Sequence, residues 1–166
     1  MMSELILRAA TEADVEDITA IYNQVITSSN AVYRENEVDT SERLAWFRDK
    51  IENGYVVIVA QLVGEIVGYG VFGAFRFGEG YNATVEHSVH VKSDSRGQGI
   101  GKAILEALIA KAKLQNRRIM VAAIDSANEV SIALHLANGF IETARMPQIA
   151  QKNGEFLNLV LLQKTL

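Results

Sequence analysis

Apolar residues recur along this chain with two periods that alternate from segment to segment. Leu5-Ile6-Leu7 is a short apolar run of strand character. Thr11-Glu12-Ala13-Asp14 then sets a hydroxyl and a downstream carboxylate where the open amide groups of a helix start need them. Val15, Ile18, Ile21, Tyr22, Val25 and Ile26 follow at three- and four-residue steps, which predicts a helix with one buried stripe, ended by Ser28-Ser29-Asn30. Beyond a loop through Tyr33 and Arg34, Asp39-Thr40-Ser41-Glu42 offers a second cap. Leu44, Phe47 and Ile51 give a second stripe, and Asn53-Gly54 a stop that tolerates positive φ.

From Tyr55 the period shortens. Tyr55 to Ala60 and Glu65 to Phe72 are rich in β-branched residues and flank a turn at Val63-Gly64, so they predict an antiparallel hairpin. Arg76 to Asn82 is a polar loop, and Ala83 to Val91 a strand that feeds a glycine cluster between Arg96 and Gly101. Ile104, Leu105, Leu108, Ile109 and Ala112 mark the next helix. Ile119 to Ile124 is a strand connected as a βαβ unit would be, paired in parallel or splayed from its neighbour. Asn128 to Asn138 fits a short helix closed by Gly139, and two last strands flank the tight-turn pair Asn153-Gly154. The order βααβββαβαββ is of the α/β class, with neither repeat nor linker, and reads as one domain over residues 1–166.

Composition narrows the function. A length of 166 residues, 49% hydrophobic and 22% charged, fits one globular domain. The longest unbroken apolar run, Tyr55 to Ala60, is far below the roughly 20 residues that span a bilayer. Met1 to Arg8 shows no basic patch leading into a long apolar core, so the expectation is a cytoplasmic protein with no membrane partner. The absence of cysteine excludes a disulfide scaffold, a thiolate metal site and an intermediate parked on a thiol, so a transferred group would pass directly from donor to acceptor. With 16 Lys and Arg against 20 Asp and Glu, a net charge of -4 and no basic block, nucleic acid is not an expected partner.

The run Val89-His90-Val91-Lys92-Ser93-Asp94-Ser95-Arg96-Gly97-Gln98-Gly99-Ile100-Gly101-Lys102 places a strand, a glycine-rich turn and an amphipathic helix in succession. Such a turn either shapes a tight corner or lets backbone amides and a helix N-terminus hold an anion. A Walker loop would need Ser or Thr after Gly101-Lys102, where Ala103 stands, and a dinucleotide fingerprint would need other glycine intervals. Arg96-x-x-Gly99-x-Gly101 does match the acetyl-CoA pyrophosphate motif of the GCN5-related N-acetyltransferase (GNAT) family, which the whole chain resembles from first strand to last. Glu86-His87-Ser88-Val89-His90-Val91, Asn128-Glu129-Val130-Ser131-Ile132-Ala133-Leu134-His135 and Asn138-Gly139-Phe140 carry a closer resemblance, to the phosphinothricin acetyltransferase-like branch, which acetylates methionine sulfone, methionine sulfoximine and phosphinothricin.

The resemblance implies a mostly antiparallel seven-stranded sheet, splayed between its fourth and fifth strands and flanked by about four helices. It implies acetyl-CoA as co-substrate, no metal, and a homodimer by analogy. Val89 and Val91 would offer backbone groups to the pantetheine arm, with His90 beside them, and Arg96, Gly97, Gln98, Gly99, Ile100, Gly101 and Lys102 would wrap the pyrophosphate. Asn128 and Ser131 would meet the arm farther along. Glu86 matches the branch's general base, and is otherwise an ordinary solvated or paired glutamate. His135 stands where the wider family often has a thiolate-protonating tyrosine, and is otherwise a satisfied structural histidine. Arg76 would hold an acceptor carboxylate, or is a solvated loop residue. Tyr33, Phe77, His87 and Ser88 complete the implied acceptor side; where relatives often have a proline after the aromatic, Arg34 to Val38 departs from the pattern. His87 and His90 are three apart on a strand, so they face opposite sides and cannot easily share a metal. The implied acceptor is a small amine, with a protein N-terminus or a polyamine as alternatives, or else the fold is a non-catalytic acyl-CoA module.

Overall fold

In the computed structural model, which describes residues 4–166, each element expected from the residue pattern forms in the expected order; Met1 to Ser3, part of the start read above as lacking a signal, lie outside the described residues. The elements are β1 (Leu5–Ala9), α1 (Val15–Ser28), α2 (Thr40–Glu52), β2 (Val57–Leu62), β3 (Glu65–Ala74), β4 (Thr84–Val91), α3 (Ile100–Leu114), β5 (Ile119–Asp125), α4 (Glu129–Ala137), β6 (Ile141–Lys152) and β7 (Glu155–Thr165). Two boundaries and one buried stripe differ from expectation. Thr11 to Asp14 forms a single 3-10 turn rather than the first turn of α1, because the Asp14 carboxylate accepts the Thr11 N–H at 2.8 Å and pairs with Arg8 at 2.7 Å. β2 starts two residues late because Tyr55 N–H donates to Lys50 O at 2.9 Å and stays with the end of α2. The buried stripe of α2 is rotated: Ile51 is 47% exposed, whereas Arg43 is only 7% exposed. Its guanidinium is sandwiched 3.9 Å from the Tyr22 ring and 3.7 Å from the Trp46 ring, where two π faces replace part of the lost hydration.

The strands form one sheet in the order β1-β2-β3-β4-β5-β7-β6. All neighbours are antiparallel except β4 and β5, which run parallel and pair only from Thr84–His87 against Ile119–Ala122. Beyond that point β4 continues to Val91 and β5 to Asp125 without pairing, so the sheet opens into a gap between its two halves. Strand periodicity assigns the faces. Phe72, Val85 and Met120 pack against Ile104, Leu105 and Leu108 of α3 in the larger core. Val57, Val59, Tyr69 and Val71 pack on the other face against Val15, Ile18 and Ile21 of α1 and Phe47 of α2. Residues opposite one another in the register share a face, so Glu86, Ser88 and His90, opposite Gly73, Val71 and Tyr69, stand on the α1/α2 side. His87, opposite Phe72, stands on the α3 side.

Candidate active site

The gap continues into a cleft of about 790 Å³. Its walls are His87 to Val91 of β4, the turn and first residues of α3, Ala122 to Asp125 of β5, Asn128, Ser131 and His135 around α4, and Ser29 to Ala31 after α1. Most residues singled out for co-substrate binding therefore meet in one place, although they come from three segments of the chain. Val91 O accepts from Arg96 Nε at 3.2 Å, so the Val91 backbone turns toward the gap rather than to β3, and by the two-residue repeat that of Val89 does too. These are unpaired strand groups of the kind that an extended ligand with amides can complete.

The anion cradle is built by backbone conformation. Gly97 and Gly99 have φ of 74° and 79°, which side chains disfavour, and a Cβ at either would meet nothing within 4 Å. Both glycines line the cleft, directly before α3. The first intrahelical bond there is Ala103 N–H to Gly99 O at 3.0 Å, so the Ile100, Gly101 and Lys102 N–H groups have no helical partner. Together with the helix dipole they suit a phosphate. Asn128 serves two purposes: its Oδ1 accepts Ser131 N–H at 3.2 Å and caps α4, while the residue lines the cleft.

Glu86 stands across the sheet from α3, between Gly73 of β3 and Val121 of β5. Burial raises its carboxyl above the ordinary range, and the Lys50 ammonium partly offsets the shift. A carboxylate so placed is a stronger proton acceptor than one in water. On the opposite face His87 and His135 are 6% and 5% exposed, with their Nε2 atoms 2.9 Å apart. His90 is elsewhere, edge-on to Tyr22 and tilted on Tyr69, and burial with Arg43 and Arg96 depresses it to about 4. The expected opposition of His87 and His90 thus holds.

Of the residues expected at the acceptor, Tyr33 shares its hydroxyl hydrogen between Asp125 Oδ1 at 2.7 Å and Asn158 O at 3.1 Å. Burial and the neighbouring carboxylate push its phenol well above its usual range, so it stays a donor. Lys152 Nζ, buried at the end of β6, donates to Ile26 O, Ser29 O and Val32 O at 2.7, 2.7 and 2.9 Å, and Asn153 N–H donates to Glu35 at 2.6 Å. The segment after α1 is therefore strapped to the β6–β7 hairpin. Arg76 and Phe77 do not join the cleft: both are exposed, and Arg76 lies over the Phe75 ring at 5.5 Å. Asp125 and Lys152 were not singled out from the sequence. Asp125, at the end of a strand leading into the Asn128 cap, carried a readable signal; Lys152, beside a hairpin turn, did not.

Comparison with known proteins agrees with this geometry. Residues 15–140 match the model of the acetyltransferase (GNAT) family. The chain is 44% identical over 161 residues, 96% of its length and 94% of the other's, to the L-methionine sulfoximine/L-methionine sulfone acetyltransferase of Pseudomonas aeruginosa. It superposes with a TM-score of 0.96 on ribosomal-protein-alanine N-acetyltransferase from Brucella melitensis, at 39% identity over 97% of this chain and 99% of that one. It superposes with a TM-score of 0.95 on the phosphinothricin acetyltransferase of Sinorhizobium meliloti in complex with acetyl-CoA, at 35% identity over 100% and 89% of the two chains. A cleft whose backbone suits a pantetheine arm and a pyrophosphate, on a fold shared along its whole length with such enzymes, places this chain in the acetyltransferase (GNAT) family, whose co-substrate is acetyl-CoA.

Proposed function

We propose that residues 1–166 act as one domain that acetylates the α-amino group of small amino-acid analogues of the methionine sulfone, methionine sulfoximine and phosphinothricin type, in the cytoplasm where acetyl-CoA is available. The observation that carries this reading is the gap between β4 and β5: it opens directly after the His87–Ala122 pair, one residue past Glu86, and runs to the anion cradle. Glu86 takes a proton from the acceptor ammonium, directly or through water, and the neutral amine attacks the thioester carbonyl without a covalent enzyme intermediate. The Val91 N–H meets the negative oxygen that develops, an interaction worth about 3 kcal/mol when a donor is preorganised. His135 or water supplies the proton that the departing sulfur needs. The strap of Tyr33, Lys152 and Asn153 ties the segment after α1 to the β6–β7 hairpin and so fixes the Ser29 to Ala31 wall of the cleft, which favours a small acceptor. Arg76, exposed over the Phe75 ring and outside the cleft, is proposed to hold the acceptor carboxylate by reaching in from its loop.

A thiol-release assay across the three analogues, a polyamine and a peptide with N-terminal alanine tests the reading. Turnover is expected with the analogues, and Arg76→Ala is expected to raise their KM about tenfold or more, the scale of a lost charged hydrogen bond. Turnover with the peptide or polyamine alone, unchanged by Arg76→Ala, would replace the small-acceptor reading. We also propose a homodimer. β6 is a twelve-residue edge strand with Ile141 62% and Ile149 52% exposed, and such an edge is commonly covered. Light scattering should return twice 18.2 kDa; a monomeric mass at micromolar concentration would refute it.

A further inference from the structure

The two buried histidines pose a counting problem. His87 Nδ1 faces Val121 O at 3.1 Å, His135 Nδ1 faces Ser131 O at 2.7 Å, and the two Nε2 atoms face each other at 2.9 Å. A carbonyl oxygen only accepts, so each Nδ1 must carry hydrogen to bond its partner. With both Nδ1 protonated, two neutral rings would bring two nitrogen lone pairs together at 2.9 Å. All three contacts are made only when a third hydrogen lies on the Nε2 axis, which gives the two rings together one positive charge. Phe140 packs against both rings, with centroids 5.5 and 5.1 Å away, and holds them in this arrangement.

We propose that His87 and His135 form a single proton-binding unit on the α3 side of the cleft. It takes up and releases one proton as a pair, and His87 is a positioning residue that sets which nitrogen of His135 carries hydrogen. The inference rests on the acetyltransfer reading for its use, though not for its existence. In that use the pair gives its third proton to sulfur as the carbon–sulfur electron pair moves onto it, leaving two protons on the two rings. The ammonium nitrogen loses two protons per turnover, one to Glu86 before attack and one to solvent afterwards. Sulfur gains one from the pair, solvent reprotonates the pair, Glu86 discharges to solvent, and one proton is released overall.

The surroundings bear on the direction. Burial, and for His87 the neighbouring His135, holds both rings below the ordinary histidine range, while the bonds to Val121 O and Ser131 O act the other way. On the elements packed around the pair, Glu86 of β4 stands on the far face of the sheet, Asp125 of β5 is engaged with Tyr33, Glu129 of α4 is exposed, and Lys102 and Glu106 of α3 pair with each other at the surface. Among the described residues no carboxylate fixes the extra charge. The third proton is therefore weakly held: without it one contact is unmade, and with it the pair surrenders the proton readily to a nearby anion.

Ring-nitrogen NMR of the ¹⁵N-histidine-labelled full chain tests the unit without any substrate, and His87→Gln and His135→Asn assign the three histidines. Uptake of one proton shared by both rings, below the ordinary histidine range, is expected, with His135 Nδ1 protonated throughout. Independent uptake of one proton by each ring, or an unprotonated His135 Nδ1, would overturn the proposal. His87→Gln can still donate to His135 but cannot bind the extra proton. Its kcat is expected to fall by about tenfold or more, within the scale of general acid catalysis, with a changed pH profile and unchanged acetyl-CoA affinity. Unchanged kcat and pH profile in this variant would contradict the catalytic use, whereas absence of thiol release with every amine in the wild type would refute the acetyltransfer reading and leave the NMR result standing.

Discussion

Glu86→Gln is expected to lower kcat by a factor of about 10² to 10⁴ while acetyl-CoA binds as before, because the amide keeps the shape of the side chain and cannot take a proton. Glu86 lies across the sheet from α3, remote from the phosphate cradle, so co-substrate affinity has no reason to change. The pH dependence follows from the environment. Burial raises the Glu86 carboxyl, so in the wild type the active carboxylate form is lost as pH falls through a value above the ordinary glutamate range. That acid limb of kcat/KM should vanish in the variant. Stability should move the other way. A carboxyl raised on folding binds its proton more tightly in the native state, so the stability of the wild type declines as pH rises from the unfolded pKa through the folded one. Glu86→Gln removes this cost at neutral pH and should leave the melting temperature unchanged or higher. A variant that instead loses acetyl-CoA binding, or unfolds, would show that Glu86 holds the structure and is not the base.

Gly70→Ala should be among the most damaging single-methyl additions in the protein. Gly70 of β3 faces α3, and a Cβ there would collide with Ile104 and come within 2.8 Å of Leu108 Cδ1, two side chains with no exposure. Neither side chain can retreat, since both are locked in the core that also holds Phe72, Val85 and Met120. Overpacking of this kind costs about 1–3 kcal/mol, which in a domain of this size lowers the melting temperature by roughly 2–12 °C. α3 also carries the cradle at its N-terminus, so lifting it from the sheet should weaken acetyl-CoA binding, unlike Glu86→Gln. Adding Ile104→Ala should recover part of the loss, because the cavity left by one change accommodates the methyl of the other. Equal melting temperatures for Gly70→Ala and wild type would mean that α3 does not sit as close to the sheet as described.

The residue pattern exposed the fold more fully than it exposed the site. Period-two and period-3.6 apolar runs, broken at Asn53-Gly54, Val63-Gly64, Gly139 and Asn153-Gly154, are local signals, and all the elements they imply form. Gly68 and Gly70, alternating on one face of β3, carried a further signal, left unread above, of the close approach of α3. Local patterns failed where a distant partner decides. Arg43 is buried because Tyr22 and Trp46 close on its guanidinium, and nothing in the α2 stripe foretells that. His87 and His135, 48 residues apart, meet through the parallel pairing of β4 with β5 and the return of α4. Lys152 finds its three carbonyls more than a hundred residues upstream. The cradle was legible because glycine conformation and a helix start are contiguous in sequence. The acceptor side was less so: Tyr33 touches the cleft only through its bond to Asp125, and Arg76 and Phe77 remain outside it.

Titration calorimetry of acetyl-CoA into the wild-type chain and into Gly99→Val is the most direct measurement. A valine at that position is disfavoured at φ 79° and adds bulk to a residue that lines the cleft at the start of α3. Saturable one-site binding to the wild type, abolished in a folded Gly99→Val protein, is the predicted result. No heat with the wild type at millimolar ligand, or equal affinity in the two proteins, would contradict the placement of the co-substrate in the gap between β4 and β5.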